Sequence, residues 1–367
     1  MRIAQLAPTY ERVPPRAYGG TELVVHLVTE ELVRRGHDVT LFATGDSQTS
    51  ARLRSITGSP ARYGETTDGL GHAEYLQLAN AQACFHAERR GLFDVIHNHA
   101  GIEGMVLAET SATPVVSTMH NSFVPQTEPI WDRYPWFHHA LSASSAPTFP
   151  SRGALPPIHH GIDVASFHVG KPEGYLLFLG RFSPEKGADR AIQAARRAGR
   201  RVLLAGKVDP PEADQFRDVI EPLVDGDRVR YVGEVGAEAK RDLLAGADAL
   251  LFPIEWDEPF GLVMIEALAA GIPVIAFRWG SVPEIVEDGR TGFIVDDVEA
   301  MAGAIGRLDQ IDRRECRLAA ERRFTVDRMV DDVEAMYRSI LGRSPLDPAD
   351  ASHADDRNGA EQAHATV

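Results

Sequence analysis

The sequence predicts an α/β protein with two doubly wound parallel sheets, one following the other along the chain. Short apolar runs alternate with amphipathic segments almost from end to end, which is typical of parallel βα units. A stretch with prolines and a glycine at 156–163 separates two such series. The chain has 367 residues of which 44% are apolar, enough for two domains with a core each.

Each series of elements can be followed in order. In the first half, apolar runs predict strands over 2–7, 38–43, 93–97 and 114–119, with helices such as 22–35 and 73–90 between them. In the second half, runs predict strands over 175–180, 201–205, 229–232, 249–253, 273–276 and 292–295. We therefore expect one domain over 1–163 and a second over 164–324.

The chain then continues into one more helix and a polar end. Residues 325–341 place their apolar side chains on one helical face, namely Met329, Val333, Met336, Tyr337 and Ile340. Beyond Arg343 few apolar residues remain, so 344–367 is predicted to be a disordered tail.

Composition excludes several classes of function. A formal net charge of −15 argues against a nucleic-acid groove, and the mildly acidic first domain argues against strong docking on an anionic membrane. Cys84 and Cys316 lie far apart in helix-like segments, which favours reduced thiols in the cytoplasm. No window approaches 18 apolar residues, and the amino-terminal apolar run is too short for a signal peptide. Dinucleotide-binding and Walker motifs after strands are also missing from the sequence.

In open α/β sheets ligands bind at the carboxyl ends of strands, so the loops there are the candidates for a site. After the first strand, Gly19 and Gly20 lead into a helix, where backbone N–H groups could approach a phosphate and Thr21 could cap the helix. For a lone Gly-Gly, a plain turn is the favoured explanation.

Two cations, Arg181 and Lys186, lie over the strand-to-helix turn that follows residues 175–180. They could neutralise a diphosphate leaving group. The alternative is a pair of surface cations bound to neighbours such as Glu185.

Histidines follow two neighbouring strands of the first domain. His120 ends the run 115–119 and could contact a sugar hydroxyl or move a proton. His97 and His99 end the preceding strand, and two residues at this spacing offer at most two metal ligands. An ordinary polar loop is the alternative for His97, and we expect no metal site.

Glu258 and Glu266 bracket a segment that is predicted to be helical after Pro259. Within a helix, eight residues cover about 12 Å and leave the two side chains roughly 80° apart. Glycosidase carboxyl pairs are about 5–5.5 Å or about 6.5–9.5 Å apart, so this pair suits holding two parts of a long ligand better than hydrolysis. An amphipathic helix with two exposed glutamates is the alternative.

Backbone groups between these two acids add an anion-binding feature. The N–H groups of Phe260, Gly261 and Leu262 are expected at the positive end of the helix, and Gly261 allows a ligand to come close. Further along, Glu284 could extend the polar ring, but capping its own short helix is the favoured role.

Together these features resemble the retaining, metal-independent glycosyltransferases of the GT-B fold, glycosyltransferase family 4. The resemblance extends over about residues 1–340. It is carried by the Gly-Gly loop with 36–39, 94–97, His120, 161–163 with Phe167, 180–187 and 258–266. It implies two Rossmann-like domains that face a cleft, and a helix at 325–343 that crosses back onto the first domain.

The resemblance also implies roles for individual residues. Arg181 and Lys186 would bind the donor diphosphate, with Gly19 and Gly20 in the loop near its distal phosphate. Glu258 and the backbone of Phe260, Gly261 and Leu262 would hold the donor sugar, with His120 beside it. Glu266 would accept hydrogen bonds from the ribose, and the base would lie against the loop of Val235.

The function implied is transfer of a hexose, with retained configuration, from a nucleoside-diphosphate sugar to a small or soluble acceptor. A UDP-sugar is favoured over GDP-mannose. We expect no metal or other cofactor, no nucleic-acid partner, no strong membrane association, a monomer or homodimer, and a cytoplasmic location. The alternatives are a sugar-nucleotide epimerase or phosphorylase on the same fold, or a non-catalytic sugar-nucleotide sensor.

Overall fold

The computed structural model describes residues 1–17, 19–60, 72–108, 111–133 and 137–341. The first of its two sheets is parallel and has seven strands in the order β3-β2-β1-β4-β5-β6-β7. These strands are β1 Arg2–Leu6, β2 Asp38–Phe42, β3 Arg52–Arg54, β4 Val95–Asn98, β5 Val115–Thr118, β6 Phe137–His139 and β7 Ala154–Leu155.

The second sheet is also parallel and has six strands in the order β10-β9-β8-β11-β12-β13. Its strands are β8 Tyr175–Leu179, β9 Arg201–Ala205, β10 Val229–Tyr231, β11 Ala249–Phe252, β12 Val274–Phe277 and β13 Gly292–Val295. The strand order reverses between β1 and β4 in the first sheet and between β8 and β11 in the second, which leaves a crevice at the carboxyl ends of each pair.

Helices connect the strands and cover the sheets. They are α1 Gly20–Arg34, α2 His72–Glu88, α3 Ile102–Ala108, α4 Glu128–Arg133, α5 Ala188–Arg197, α6 Ala213–Gln215, α7 Ala237–Gly246, α8 Leu262–Ala269, α9 Val282–Ile285, α10 Val298–Ile305, α11 Arg313–Arg323 and α12 Val326–Ile340. Because helices cover both faces of parallel sheets, central strands are apolar nearly throughout, and β11 is buried at every position.

The predicted fold class is confirmed, since both domains are doubly wound parallel sheets. Three strands were missed: β3, β6 and β7. They have only two or three residues each, and Arg-Leu-Arg and Phe-His-His are not apolar runs. Pairing of β3 with β2, of β6 with β5 and of β7 with β6 supplies a strand conformation that these short segments do not specify by themselves.

The last helix, α12, packs on the first domain although it follows the second in sequence. Its buried face, which includes Met329, Val333 and Tyr337, lies in one apolar cluster with Ile3 of β1 and Val24 of α1. Charged groups reinforce this contact, because Arg35 bonds Asp331 at 2.7 Å and His37 bonds Glu334 at 2.8 Å. Residues 342 and 343 of the predicted crossing helix, and the predicted tail at 344–367, lie outside the described residues.

The connection between the domains runs beside the start of α12. The Ile162 N–H donates to the Phe324 carbonyl at 2.9 Å, and a Cβ at Gly161 would come within 2.1 Å of the Thr325 carbonyl oxygen. Gly161 is therefore required for the close passage of the two chain segments. In the described part of the chain no helix is both long and apolar enough to cross a membrane.

Candidate functional site

A cavity of about 850 Å³ lies between the two domains and takes residues from both. It is bounded by loops that follow β1 and β5 in the first domain and β8, β9, β10 and β11 in the second. Eleven residues predicted for the site all line it: Gly19, Gly20, His120, Arg181, Lys186, Val235, Glu258, Phe260, Gly261, Leu262 and Glu266. Their separate roles stay predictions.

The glycines of the first loop bring α1 against the second domain. Gly19 precedes α1 with a φ of 153°, and a Cβ there would meet Pro15 at 2.6 Å. A Cβ at Gly20 would lie 3.4 Å from the Leu262 side chain, so the two domains touch at this point. The expected cap is wrong: Thr21 lies inside α1, which starts at Gly20 without a side-chain cap.

The loop after β8 places two cations at the mouth of the second sheet. Arg181 lies 3.8 Å from Glu185 and 3.7 Å from Asp209, both beyond hydrogen-bond length. Lys186 forms an ion pair with Glu258 and lies 4.5 Å over the ring of Trp256. The structure thus brings together a lysine and a glutamate that the sequence placed 72 positions apart.

Glu258 is held from three sides. Trp256 donates its indole N–H to the same Glu258 oxygen, Oε2, at 2.7 Å. The Ser281 N–H donates to the Glu258 carbonyl at 3.1 Å, and a Cβ at Gly280 would lie 2.4 Å from the Glu258 nitrogen. The carboxylate is therefore fixed in the cleft and has one oxygen, Oε1, outside these bonds.

The expected helical geometry between the two glutamates is wrong. Helix α8 begins at Leu262, because Gly261 adopts a left-handed conformation with φ 80° and interrupts helical geometry. Glu258 therefore lies four residues before the helix, and the rise and rotation of a helix do not describe the separation of the two glutamates. Glu266 lies just over one turn into α8, is 3% exposed and forms an ion pair with Lys240 of α7.

His97 is also not in a loop, the alternative that the sequence left open. It is the third residue of β4 and is buried. Its two ring nitrogens bond the Tyr337 hydroxyl at 2.7 Å and the Thr118 hydroxyl at 2.6 Å.

His120 follows β5 and belongs to the same network. Its Nε2 lies 2.9 Å from Nδ1 of His99, and its ring stacks on His160 with the centroids 5.4 Å apart. Burial lowers the pKa of His120 to about 3 and that of His139 to about 4, so both rings are neutral at physiological pH. Despite these histidines, no group of three or more metal-ligating side chains occurs among the described residues.

Glu284 does not cap its own helix, contrary to expectation. Its carboxylate accepts the N–H groups of Ala143 and Ser144 at 2.8 Å each and contacts His159 Nε2 at 3.0 Å. Burial alone would raise the pKa of Glu284, but these hydrogen bonds outweigh it and hold the pKa below its usual value. Glu284 is thus a clamp from the second domain onto the first.

The cleft-lining residues that the sequence analysis did not assign to the site include Lys207, Asp209, Lys240 and Trp256. Lys207 bonds Asp209 at 2.7 Å. A usable signal existed, because the chain has only four lysines and three of them, Lys186, Lys207 and Lys240, line this one cavity. Because lysine is rare in this chain, three lysines around one cavity indicate a site for a ligand that needs positive charge.

Comparison with known families agrees with this geometry. The model of glycosyltransferase family 4 matches residues 18–155, and the model of glycosyl transferases group 1 matches residues 163–323. This chain belongs to glycosyltransferase family 4. The protein is therefore a glycosyltransferase, which sets aside the epimerase, phosphorylase and sensor alternatives.

Several relatives of this glycosyltransferase are known. A phosphatidyl-myo-inositol mannosyltransferase of Mycolicibacterium smegmatis is 28% identical and aligns over 93% of this chain and 95% of its own. A D-inositol 3-phosphate glycosyltransferase of the same organism is 25% identical over 88% and 87%. The solved structure of AviGT4, a glycosyltransferase involved in avilamycin A biosynthesis, is 25% identical with a TM-score of 0.71 over 94% and 98% of the two chains.

The glycosyltransferase differs in charge between the two walls of its cleft. Every Lys or Arg among the described lining residues lies in the second domain, namely Arg181, Lys186, Lys207 and Lys240. The same wall also carries Asp209, Glu212, Glu234, Glu258 and Glu266, whereas the first domain contributes Glu11 and Glu22. Glu22 is 5% exposed, and burial raises its pKa to about 7. Among the described residues, the cations that could meet an anionic ligand therefore all lie on the second-domain wall.

Proposed function

We propose that this glycosyltransferase transfers a hexose from a nucleoside-diphosphate sugar to a small or soluble acceptor, with retention of configuration and without a metal ion. The observation that carries the proposal is the arrangement of Arg181, Lys186 and the two lysine–glutamate pairs along one wall of the cleft, opposite His120.

In the proposed donor complex the diphosphate lies against Arg181 and Lys186, with the N–H groups at the start of α1 near its distal phosphate. Lys186 then shares its charge between Glu258 and the phosphate. Glu258 and the backbone at the start of α8 accept and donate hydrogen bonds to the sugar hydroxyls. Glu266 holds the ribose, and Val235 packs against the base.

The chemistry proposed is departure and attack on one face of the sugar. The bond between the anomeric carbon and the diphosphate oxygen breaks, and the acceptor oxygen bonds to the same face of that carbon. The acceptor proton passes to the departing phosphate oxygen. This needs stabilisation of the developing charge and close positioning, which two cations and a fixed Glu258 supply.

For the donor we favour a uridine nucleotide over GDP-mannose. A structural neighbour with 20% identity, HepE of Anabaena, was solved in complex with UDP-glucose, whereas the first sequence relatives are mannosyltransferases by name. For the acceptor we favour a neutral hydroxyl compound, because the described residues of the first-domain wall include no Lys or Arg that could bind a phosphate. We place the protein in the cytoplasm as a monomer or homodimer.

A thermal-shift screen with UDP, UDP-glucose, GDP and GDP-mannose tests the donor. A ligand at 100 times its Kd should stabilise the protein by about 2.7 kcal/mol. The shift should be reduced in Lys186→Ala and kept in Lys171→Ala, which removes an exposed lysine that does not line the cleft. Absence of a shift with every nucleotide in the presence of EDTA would overturn the metal-independent donor site.

Product analysis tests the retained configuration and the class of acceptor. Incubation with the stabilising donor and neutral polyols should give a product with the donor's anomeric configuration, measured by the anomeric proton coupling. An inverted product refutes retention. Sedimentation with anionic liposomes at physiological salt, or a strict preference for a phosphorylated acceptor, would contradict the proposed acceptor class.

A further inference from the structure

A continuous chain of hydrogen bonds runs under the cleft from a backbone carbonyl to His120. At its far end, Nδ1 of His139 lies 3.1 Å from the carbonyl oxygen of Ala140. A carbonyl only accepts, so Nδ1 carries the proton and Nε2 of the neutral ring does not. Nε2 therefore accepts the hydroxyl proton of Thr118 at 2.7 Å.

Thr118 and His97 continue the chain of hydrogen bonds in the same direction. The Thr118 hydroxyl has given its proton to His139, so at 2.6 Å it accepts one from Nε2 of His97. Nδ1 of His97 is then unprotonated and accepts from the Tyr337 hydroxyl at 2.7 Å. Burial lowers the pKa of His97 well below its usual value, which keeps this ring neutral.

From Tyr337 the chain turns towards the cleft. The Tyr337 oxygen accepts from Nε2 of Gln5 at 2.9 Å, which orients the Gln5 amide. Oε1 of Gln5 must then accept, so Nε2 of His99 carries a proton, at 2.9 Å. Nδ1 of His99 is left as the acceptor for Nε2–H of His120, also at 2.9 Å.

The opposite direction is disfavoured by the Ala140 carbonyl. If the Gln5 amide were reversed, each proton along the chain would shift to the other side, and His139 would point a lone pair at the Ala140 oxygen. Gln5 and Tyr337 are 0% exposed, so bulk water does not offer them replacement partners. One carbonyl therefore determines the direction of every bond in the chain.

We propose that Tyr337, through Gln5 and His99, fixes His120 as the neutral tautomer with the proton on Nε2, so that Nδ1 accepts a hydrogen bond from a ligand hydroxyl in the cleft. Among the described residues Nδ1 of His120 has no hydrogen-bond partner, and the residue lines the cavity. Tyr337 is a positioning residue: it lies on α12, is fully buried and is not among the residues that line the cavity.

The hydrogen bond from a ligand hydroxyl to Nδ1 of His120 rests on the proposed function, whereas the tautomer of His120 in the free protein does not. A nitrogen that only accepts favours a hydroxyl over a carboxylate or phosphate at this point of the cleft. The consequence for the fold is that α12, which returns from the end of the second domain, sets the protonation pattern of a residue at the carboxyl end of β5.

The experiment is ¹⁵N NMR of the ligand-free full chain with ¹⁵N-labelled histidine, in which His120 is assigned by loss of its signals in His120→Gln. The wild type should show a pyridine-type Nδ1 and a pyrrole-type Nε2. Tyr337→Phe should move both nitrogens towards averaged shifts, because the Gln5 amide is no longer oriented. Thr118→Val, which cuts the link to His139, should move them in the same direction.

The matched control is Tyr175→Phe in the second domain, which removes a hydroxyl that donates to the Leu243 carbonyl of the same domain. This variant should leave the ¹⁵N shifts of His120 unchanged. A protonated Nδ1 in the wild type, or an unchanged His120 in folded Tyr337→Phe and Thr118→Val, overturns the relay. Adding UDP-glucose should shift Nδ1 of His120 more than adding UDP. If UDP-glucose binds and this difference is missing, the hydroxyl contact is wrong while the relay stands.

Discussion

Replacing Glu22 by Gln should make the protein more stable at alkaline pH. Glu22 lies in the first turn of α1, 5% exposed, on the first-domain wall of the cleft. Burial raises its pKa from 4.5 to about 7, against hydrogen bonds from its own N–H and that of Glu11. The neutral amide of Gln keeps an oxygen that accepts these bonds and removes the charge.

The magnitude follows from the shift. A folded pKa of about 7 against 4.5 in the unfolded chain corresponds to about 3 kcal/mol. Because the folded pKa is the higher one, this contribution is fully present below about pH 4.5 and is lost as the pH rises through 7. Wild type and Glu22→Gln should therefore be equally stable near pH 4.5, and the variant more stable by about 3 kcal/mol at pH 8.

Urea unfolding at a series of pH values between 4.5 and 8 measures this difference. The control is Glu238→Gln, since Glu238 also lies in the first turn of a helix, α7, but is exposed. The free energy of unfolding of Glu238→Gln should follow that of the wild type at every pH. Parallel curves for wild type and Glu22→Gln would refute the reasoning, because they would mean that Glu22 is charged in the folded protein at no cost.

Three further outcomes are expected. Lys186→Ala should lower kcat on the order of 10²-fold, because a cation at the leaving diphosphate is lost, while Lys171→Ala keeps kcat in steady-state assays. Lys240→Ala should lower the free energy of unfolding by about 2–3 kcal/mol, because Glu266 is left buried without its partner. Adding Glu266→Gln should restore most of this loss. A double variant that is no more stable than Lys240→Ala would contradict this explanation. Glu284→Gln should lower the midpoint of urea unfolding and increase hydrogen exchange at 143–144, and unchanged exchange there would rule out the clamp.

Much of this fold could be predicted because its main strands are local patterns. Runs such as that of β11 are apolar at every position, and their alternation with amphipathic helices specifies parallel units. The short strands β3, β6 and β7 could not be predicted, since their few residues become strands by pairing with a neighbour. The loops with Arg181 and Glu258 were placed correctly because they follow such runs directly.

Other parts of the site were misjudged where a partner lies far away in sequence. Glu284 carries no local sign that it binds the backbone of Ala143 across the cleft. The helical interpretation of Pro259 to Gly261 failed because a left-handed glycine gives no periodic signal. Lys240 was missed since nothing near it in sequence indicates the carboxylate of Glu266.

The sequence by itself determined two parallel sheets, the sign of the overall charge and the loops that carry the cations and acids of the cleft. The tertiary structure alone decided which charges pair, that Glu284 joins the domains, and that Gln5 meets Tyr337 across 332 positions. The physical reason is the distance along the chain over which each kind of interaction acts. Periodicity and turn preferences act over a few residues, whereas ion pairs and hydrogen bonds require atoms within about 3 Å, a distance that only the packing of both domains and α12 can set.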